Sequence, residues 1–280
     1  MAPAHAPAEA FFLPAGRGAR YCLFHAPAGE CRGALVYLHP FAEEMNKSRR
    51  MAALQARALA ALGVGVLQLD LHGCGDSSGE FGEARWESWK DDVALACGWL
   101  RERLGCEVGL WGLRLGALLA LDYAAGAQHP VERLLLWQPV TNGAAYLTQF
   151  LRLRLAGDLL QSGGEAGGTD ALRASLRAGA ALEIAGYELA PQLAAAIEAI
   201  DALSLAPASC QVHWFEVTAG AGRPVPPGAT RIAERWRAQG VDLQVHLAHG
   251  QPFWTTPEIA ECPALLAATS ALYGAAIHAA

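Results

Sequence analysis

The segment Gly112-Leu113-Arg114-Leu115-Gly116 poses the first chemical question in this sequence. An apolar run, Glu107 to Trp111, leads into it, and a helix-forming run, Leu115 to Ala125, leads out. A Gly-x-x-x-Gly frame at such a turn holds its central residue in a strained backbone conformation, and the small residues on either side let strand and helix close around it. The centre ordinarily presents a serine nucleophile, and here it is Arg114. A guanidinium does not deprotonate in proteins, so Arg114 adds a permanent charge to an already positive helix terminus. Something anionic must face it. The candidates are Glu43 or Glu44 from within the chain, or a carboxylate, phosphate or sulfate of a ligand.

Other reactive residue types fall at the ends of apolar runs. His39-Pro40-Phe41-Ala42 follows the third expected strand, where an oxyanion loop would lie, which makes His39, Phe41, Glu43, Glu44 and Leu115 the candidate pocket. The backbone amides of Phe41 and Leu115 would be its oxyanion donors. His249, after the last strand, stands where a general base would, although it reads equally as a hydrogen-bonded loop residue. The acid of such a triad belongs in an Asp-x-x-Val-Pro turn, but the chain reads Gly222-Arg223-Pro224-Val225-Pro226. Glu216 is the nearest substitute. Without nucleophile and acid, the oxyanion hole and binding alone would leave roughly a thousandfold to ten-thousandfold over water. A Ser-His-Asp mechanism is therefore excluded at this position. Cys74 lies in the glycine-rich turn Asp70 to Ser77 and reads as structural, as do Ser77 and Ser78. His39, Asp70, His72 and His249 have no metal-ligand spacing, so neither metal nor cofactor is expected.

The elements that position these residues alternate. Short strands at Ala10 to Leu13 and Arg20 to His25 are followed by apolar strands Ala34 to Leu38, Val64 to Asp70, Glu107 to Trp111, Leu134 to Trp137, Gln211 to Val217 and Val241 to Leu247. Helical spacing separates them at Met45 to Leu62, Trp86 to Leu104 and Leu115 to Ala125, and a closing helix is expected from about Glu258 to Tyr273. Such alternation predicts an α/β fold with a doubly wound, mostly parallel sheet. About seventy residues separate Trp137 from Gln211, far more than an ordinary connection. They read as a helical lid inserted at about 141–208 of a single domain spanning 1–280, with helices at Ala144 to Leu160, Asp170 to Ala178 and Pro191 to Ala199 and a glycine-rich break from Gly163 to Gly168.

Composition narrows the partners. Of 280 residues, 53% are apolar and 17% charged, which suits a large buried core. A net charge of −6 without a basic stripe argues against nucleic acid. No run is long and apolar enough to span a bilayer, and Met1 to Ala10 lacks an export signal. Seven cysteines, Cys22, Cys31, Cys74, Cys97, Cys106, Cys210 and Cys262, occur singly and suit reduced thiols in the cytoplasm. A small acyl or anionic molecule is the expected partner.

Several stretches together resemble one group of proteins. They are Phe11-Phe12-Leu13-Pro14, His39 through Arg50, Leu69 through Gly79, Trp111 through Gly116, Trp137-Gln138-Pro139, Glu183 through Tyr187 and Pro252-Phe253-Trp254. The chain resembles the α/β-hydrolase-fold proteins of the bacterial exosortase A system, specifically its second hydrolase type. That resemblance implies a role near exopolysaccharide production and the sorting of C-terminally tagged surface proteins, with Arg114 as a feature of the type. Two activities remain open: a hydrolase of esters or thioesters using His249 and water with Arg114 at the oxyanion, and a non-catalytic protein that grips an anionic ligand with Arg114.

Overall fold

The computed structural model describes the backbone of residues 7–162, 168–207, 209–220 and 222–274, and the side chains of all of these except 158–162. In chain order the elements are β1 (Glu9–Pro14), β2 (Ala19–His25), β3 (Gly33–Leu38), α1 (Glu43–Ala61), β4 (Val64–Leu69), α2 (Trp86–Leu104), β5 (Val108–Leu113), α3 (Leu115–Gly126) and β6 (Arg133–Trp137). There follow α4 (Gly143–Ser162), α5 (Thr169–Arg177), β7 (Leu182–Ile184), β8 (Tyr187–Leu189), α6 (Pro191–Ala199), β9 (Gln211–Thr218), α7 (Pro227–Ala238), β10 (Leu243–His249) and α8 (Pro263–Gly274).

The eight expected strands form one sheet in the order β1-β2-β4-β3-β5-β6-β9-β10, while β7 and β8 pair separately. The sheet is parallel from β4 to β10, and β2 runs antiparallel to both β1 and β4. Strands buried on both faces need apolar residues at every position rather than at alternate ones. β3 and β5 are buried at all their residues. Their side chains divide by parity. Val36, Leu38 and Leu110 pack with Val93, Leu118 and Trp89 on one face, and Leu35, Tyr37, Trp111 and Leu113 pack with Met51, Leu59 and Leu265 on the other. The second face carries an aromatic chain in which Trp111 touches Tyr37 and Trp137 at 4.3 and 4.7 Å between ring centroids.

Several boundaries differ from the sequence expectation. β5 runs on to Leu113, so the turn begins directly at Arg114. β10 lies two residues later than expected and ends at His249. α8 starts at Pro263 rather than near Glu258, because proline suits the first helical turn and the residue before it is held out of helical geometry. The amphipathic helix α7, with Ile232, Ala233 and Trp236 buried, and the hairpin β7–β8 were not anticipated. That hairpin turns through Ala185 and Gly186, both at positive φ. Between β6 and β9 the chain is thus not purely helical. Residues 163–167 of the glycine-rich break lie outside the described residues.

Candidate functional site

Arg114 has φ 56 and ψ −117, which is disfavoured for a residue with a side chain and costs about 1–3 kcal/mol. Surrounding bonds hold it there. Its amide donates to the Trp137 carbonyl at 3.0 Å, and its carbonyl accepts from Val140 and Ala117, both at 3.1 Å. A side chain at position 112 would collide with the Ala117 backbone, and one at 116 with the Leu38 carbonyl, so both glycines are required. The elbow is strained, and an arginine stands at its centre.

The Arg114 side chain is 16% exposed and meets that of Glu44, 7% exposed, through Nε and Oε1 at 3.3 Å. Tyr146 of α4 donates its hydroxyl to the other Glu44 oxygen at 3.5 Å. The rings of Tyr146 and Trp254 lie 5.7 and 5.4 Å from the guanidinium carbon, a cation–π arrangement that contributes about 0.5–2 kcal/mol per ring. Burial pushes the Glu44 carboxyl up to about 7, and the neighbouring Arg114 opposes the shift without cancelling it. Beside it, Oε2 of Glu43 is buried with no hydrogen-bond partner. Among the described residues the Arg114 side chain bonds through Nε alone, and its two terminal nitrogens have no partner.

On the open side of Arg114 lies a cleft of ≈ 220 Å³ whose walls include Gln138, Thr141, Asn142, Tyr146, Gln149 and Glu216. Glu216 is buried and accepts from Gln138 Nε2 at 2.8 Å and from Trp214 Nε1 at 2.7 Å. Desolvation raises its pKa, and those two hydrogen bonds only moderate the rise. Gln138 has φ 41, and its Oε1 accepts the Val217 amide at 2.7 Å. On the closed side, the Phe41 ring packs on Phe81, Trp89, Tyr146 and Phe150. The space between that loop and Leu115 is only ≈ 10 Å³, about one water.

The remaining candidates lie apart from this cluster. His39 accepts the Leu71 amide on Nε2 and bonds the Pro40 carbonyl through Nδ1, so both ring nitrogens are used structurally. His249 is exposed, and its Nδ1 pairs with the Thr218 carbonyl at 3.1 Å. Among the described residues no carboxylate orients it. Asp70 is bound by Arg49 and the Asp76 amide, Ser77 bridges the Asp70 carbonyl and the Tyr21 amide, and the buried Cys74 thiol is pushed well up in pKa. Among the described residues no group of three or more His, Cys, Asp or Glu could hold a metal ion, and no helix is long and apolar enough to cross a membrane. Gln138, Tyr146 and Trp254 are the site residues that spacing did not point to. Gln138 and Trp254 lay within stretches of the family resemblance, whereas Tyr146 carried no signal of its own.

A family model described as serine aminopeptidase, S33, matches residues 29–175, just over half of the chain. The chain belongs to that family. Its fold is that of the α/β hydrolases. Similar solved structures include Est1E from Butyrivibrio proteoclasticus bound to ferulic acid, at 16% identity and TM-score 0.65, covering 94% of this chain and 96% of that one. A thermostable carboxyl esterase from Bacillus coagulans in complex with glycerol aligns at 12% identity and TM-score 0.66, covering 96% and 99%. Alpha/beta hydrolase domain-containing protein 10 from mouse aligns at 17% identity and TM-score 0.60, covering 94% and 98%. No curated protein matches the chain.

The S33 match contains His39, Glu44, Arg114 and Tyr146 and ends before Glu216 and His249. At the centre of the elbow stands Arg114, its guanidinium held between two rings, and Glu216 is bonded to Gln138 and Trp214.

Proposed function

We propose that this hydrolase-family protein binds a small molecule bearing an acidic head group in the cleft beside Arg114, and that triad catalysis has been given up for that recognition. The observation that carries the reading is the Arg114 fork. Its Nε is bound by Glu44, which fixes the plane of the guanidinium, while both terminal nitrogens are without a partner among the described residues at the edge of a polar cleft. A carboxylate or phosphate accepts two parallel bonds from such a fork, and charge-assisted bonds contribute about 1.5–3 kcal/mol. The Glu44 carboxyl, pushed up to about 7 by burial, lessens the negative charge an incoming anion meets near neutral pH. The resemblance to the second hydrolase type of the exosortase A system supports a setting in exopolysaccharide production, and seven free thiols support a cytoplasmic one.

The test is titration calorimetry of wild type and Arg114→Lys against acetate, glucuronate, inorganic phosphate and sulfate. Binding of at least one anion, weakened tenfold or more when the fork becomes a point charge, is expected. Equal binding by both proteins, or none by either, removes the reading.

A second reading is favoured by one contact. The Nδ1 to Thr218 carbonyl bond leaves Nε2 of His249 as the lone-pair nitrogen, the form a water-activating base requires. Turnover of p-nitrophenyl esters or acyl thioesters that disappears in His249→Ala, without labelling by a fluorophosphonate, establishes this hydrolase in place of the binder. Weak esterase activity gained only in Arg114→Ser marks a scaffold from which the chemistry was withdrawn.

A further inference from the structure

Away from the cleft, two thiols that are far apart in sequence face each other. Cys31 lies just before β3 and Cys106 just before β5, and their Sγ atoms are 3.6 Å apart. β3 and β5 are neighbouring parallel strands with Ala34 opposite Val108, so the sheet itself holds the two cysteines in near register. Both are half-buried, whereas Cys22, Cys74, Cys97, Cys210 and Cys262 are buried. Sulfurs at this separation need a shift of about 1.5 Å to reach bonding distance, within the reach of two loop side chains. Among the described residues no third His, Cys, Asp or Glu joins them in a metal-binding group.

We propose that Cys31 and Cys106 are a dithiol modification site that a small-molecule disulfide such as glutathione disulfide converts to an intramolecular bridge. The thiolate of one cysteine attacks one sulfur of the oxidant, forming a mixed disulfide and expelling one glutathione thiolate. The thiolate of the other then attacks the protein sulfur of that mixed disulfide and expels the second. Two protein thiols are oxidised and one oxidant disulfide is reduced to two glutathione molecules. Burial first, then the Cys31 contact and the carboxylates of Glu132 and Glu107, push the Cys106 thiol up to about 12. The same bridge forms whichever of the two sulfurs attacks first. The bridge closes a long loop between the amino ends of two strands, the sheet edge opposite the one that carries Arg114, so it stabilises the fold without touching the cleft.

The experiment treats the full-length protein with glutathione disulfide at pH 8, with thiol titration and mass spectrometry of unreduced peptides as readouts. Wild type is expected to lose two of its seven thiols, with one linked peptide joining Cys31 to Cys106. Cys106→Ser and Cys31→Ser are each expected to form no linked peptide and to stop at a glutathione adduct on the remaining thiol. Retention of all seven thiols under conditions that oxidise dithiothreitol overturns the proposal, as does a linkage between any other pair.

Discussion

Two turns follow neighbouring stretches of the same sheet edge and have been treated in opposite ways. In the Asp70–Gly79 turn after β4, polar groups are answered from inside the protein. Asp70 has Arg49 and the Asp76 amide, Ser77 has two backbone partners, Ser78 accepts the Ala19 amide, and the His72 amide donates to Asp92 at 2.7 Å. The exception is Nδ1 of His72, which is buried without a partner. At the turn after β5 the backbone is equally well held, but the side chains are not. The Arg114 fork is half used, Glu43 Oε2 is buried and unpaired, and a carboxyl that ionises near 7 sits between them. The first turn is held largely by its own polar side chains, whereas the second leaves more of its polar atoms without a partner among the described residues.

The sharpest way to break this comparison is at Asp92. Arg20 and Asp92 pair at 2.6 Å with both side chains only 3% exposed, and Asp92 also receives the His72 amide. Removing one partner of a buried pair strands the other charge, so Asp92→Ala should lose about 3–5 kcal/mol of unfolding free energy. Denaturant titration measures it. A loss below about 1 kcal/mol, the range of surface pairs, contradicts the view that this turn is a structural unit.

That difference also explains what could be read without coordinates. The central strands β3, β4, β5, β6 and β9 were legible because parallel strands covered on both faces are nearly uninterrupted apolar runs, and the elbow was legible because Gly112 and Gly116 have no substitute there. Arg114 identified itself by standing where a serine belongs, and Glu44 was one of two carboxylates within reach of it. The hairpin β7–β8 was illegible because its strands are three residues each, too short to show a period. Tyr146 and Trp254 lie in segments far apart in sequence that converge on Arg114 only through the fold. His249 looked like a base from its position after the last strand, but position says nothing of the Thr218 carbonyl that occupies its Nδ1.

A smaller effect comes from Glu44. Its carboxyl ionises near 4.5 in a free chain and at about 7 in the fold, so the folded state binds the proton more tightly over that interval. The contribution of this group to stability is greatest below pH 4.5 and declines as pH rises through 7, by an amount on the order of 1–3 kcal/mol. Glu44→Gln should flatten that decline while keeping the contacts to Arg114 and Tyr146. Thermal or denaturant unfolding at several pH values compares the two proteins. An unchanged slope between pH 5 and 8 means that Glu44 is ionised throughout, and the anion site then carries a full opposing charge.

The smallest expected effect on stability falls at the most conspicuous residue. Arg114→Gly relieves a positive φ that costs about 1–3 kcal/mol, loses two cation–π contacts of about 0.5–2 kcal/mol each, and leaves Glu44 free to take up a proton. These terms oppose one another, so the net change in unfolding free energy should lie within about 1 kcal/mol, well below the loss at Asp92. Anion binding, by contrast, should vanish. The two readouts must separate for the comparison to stand. A variant that unfolds as readily as Asp92→Ala shows that Arg114 is a strut of the fold, its pairing with Glu44 the whole reason for its presence; a variant that folds normally and binds no anion shows that the strained elbow is maintained for recognition.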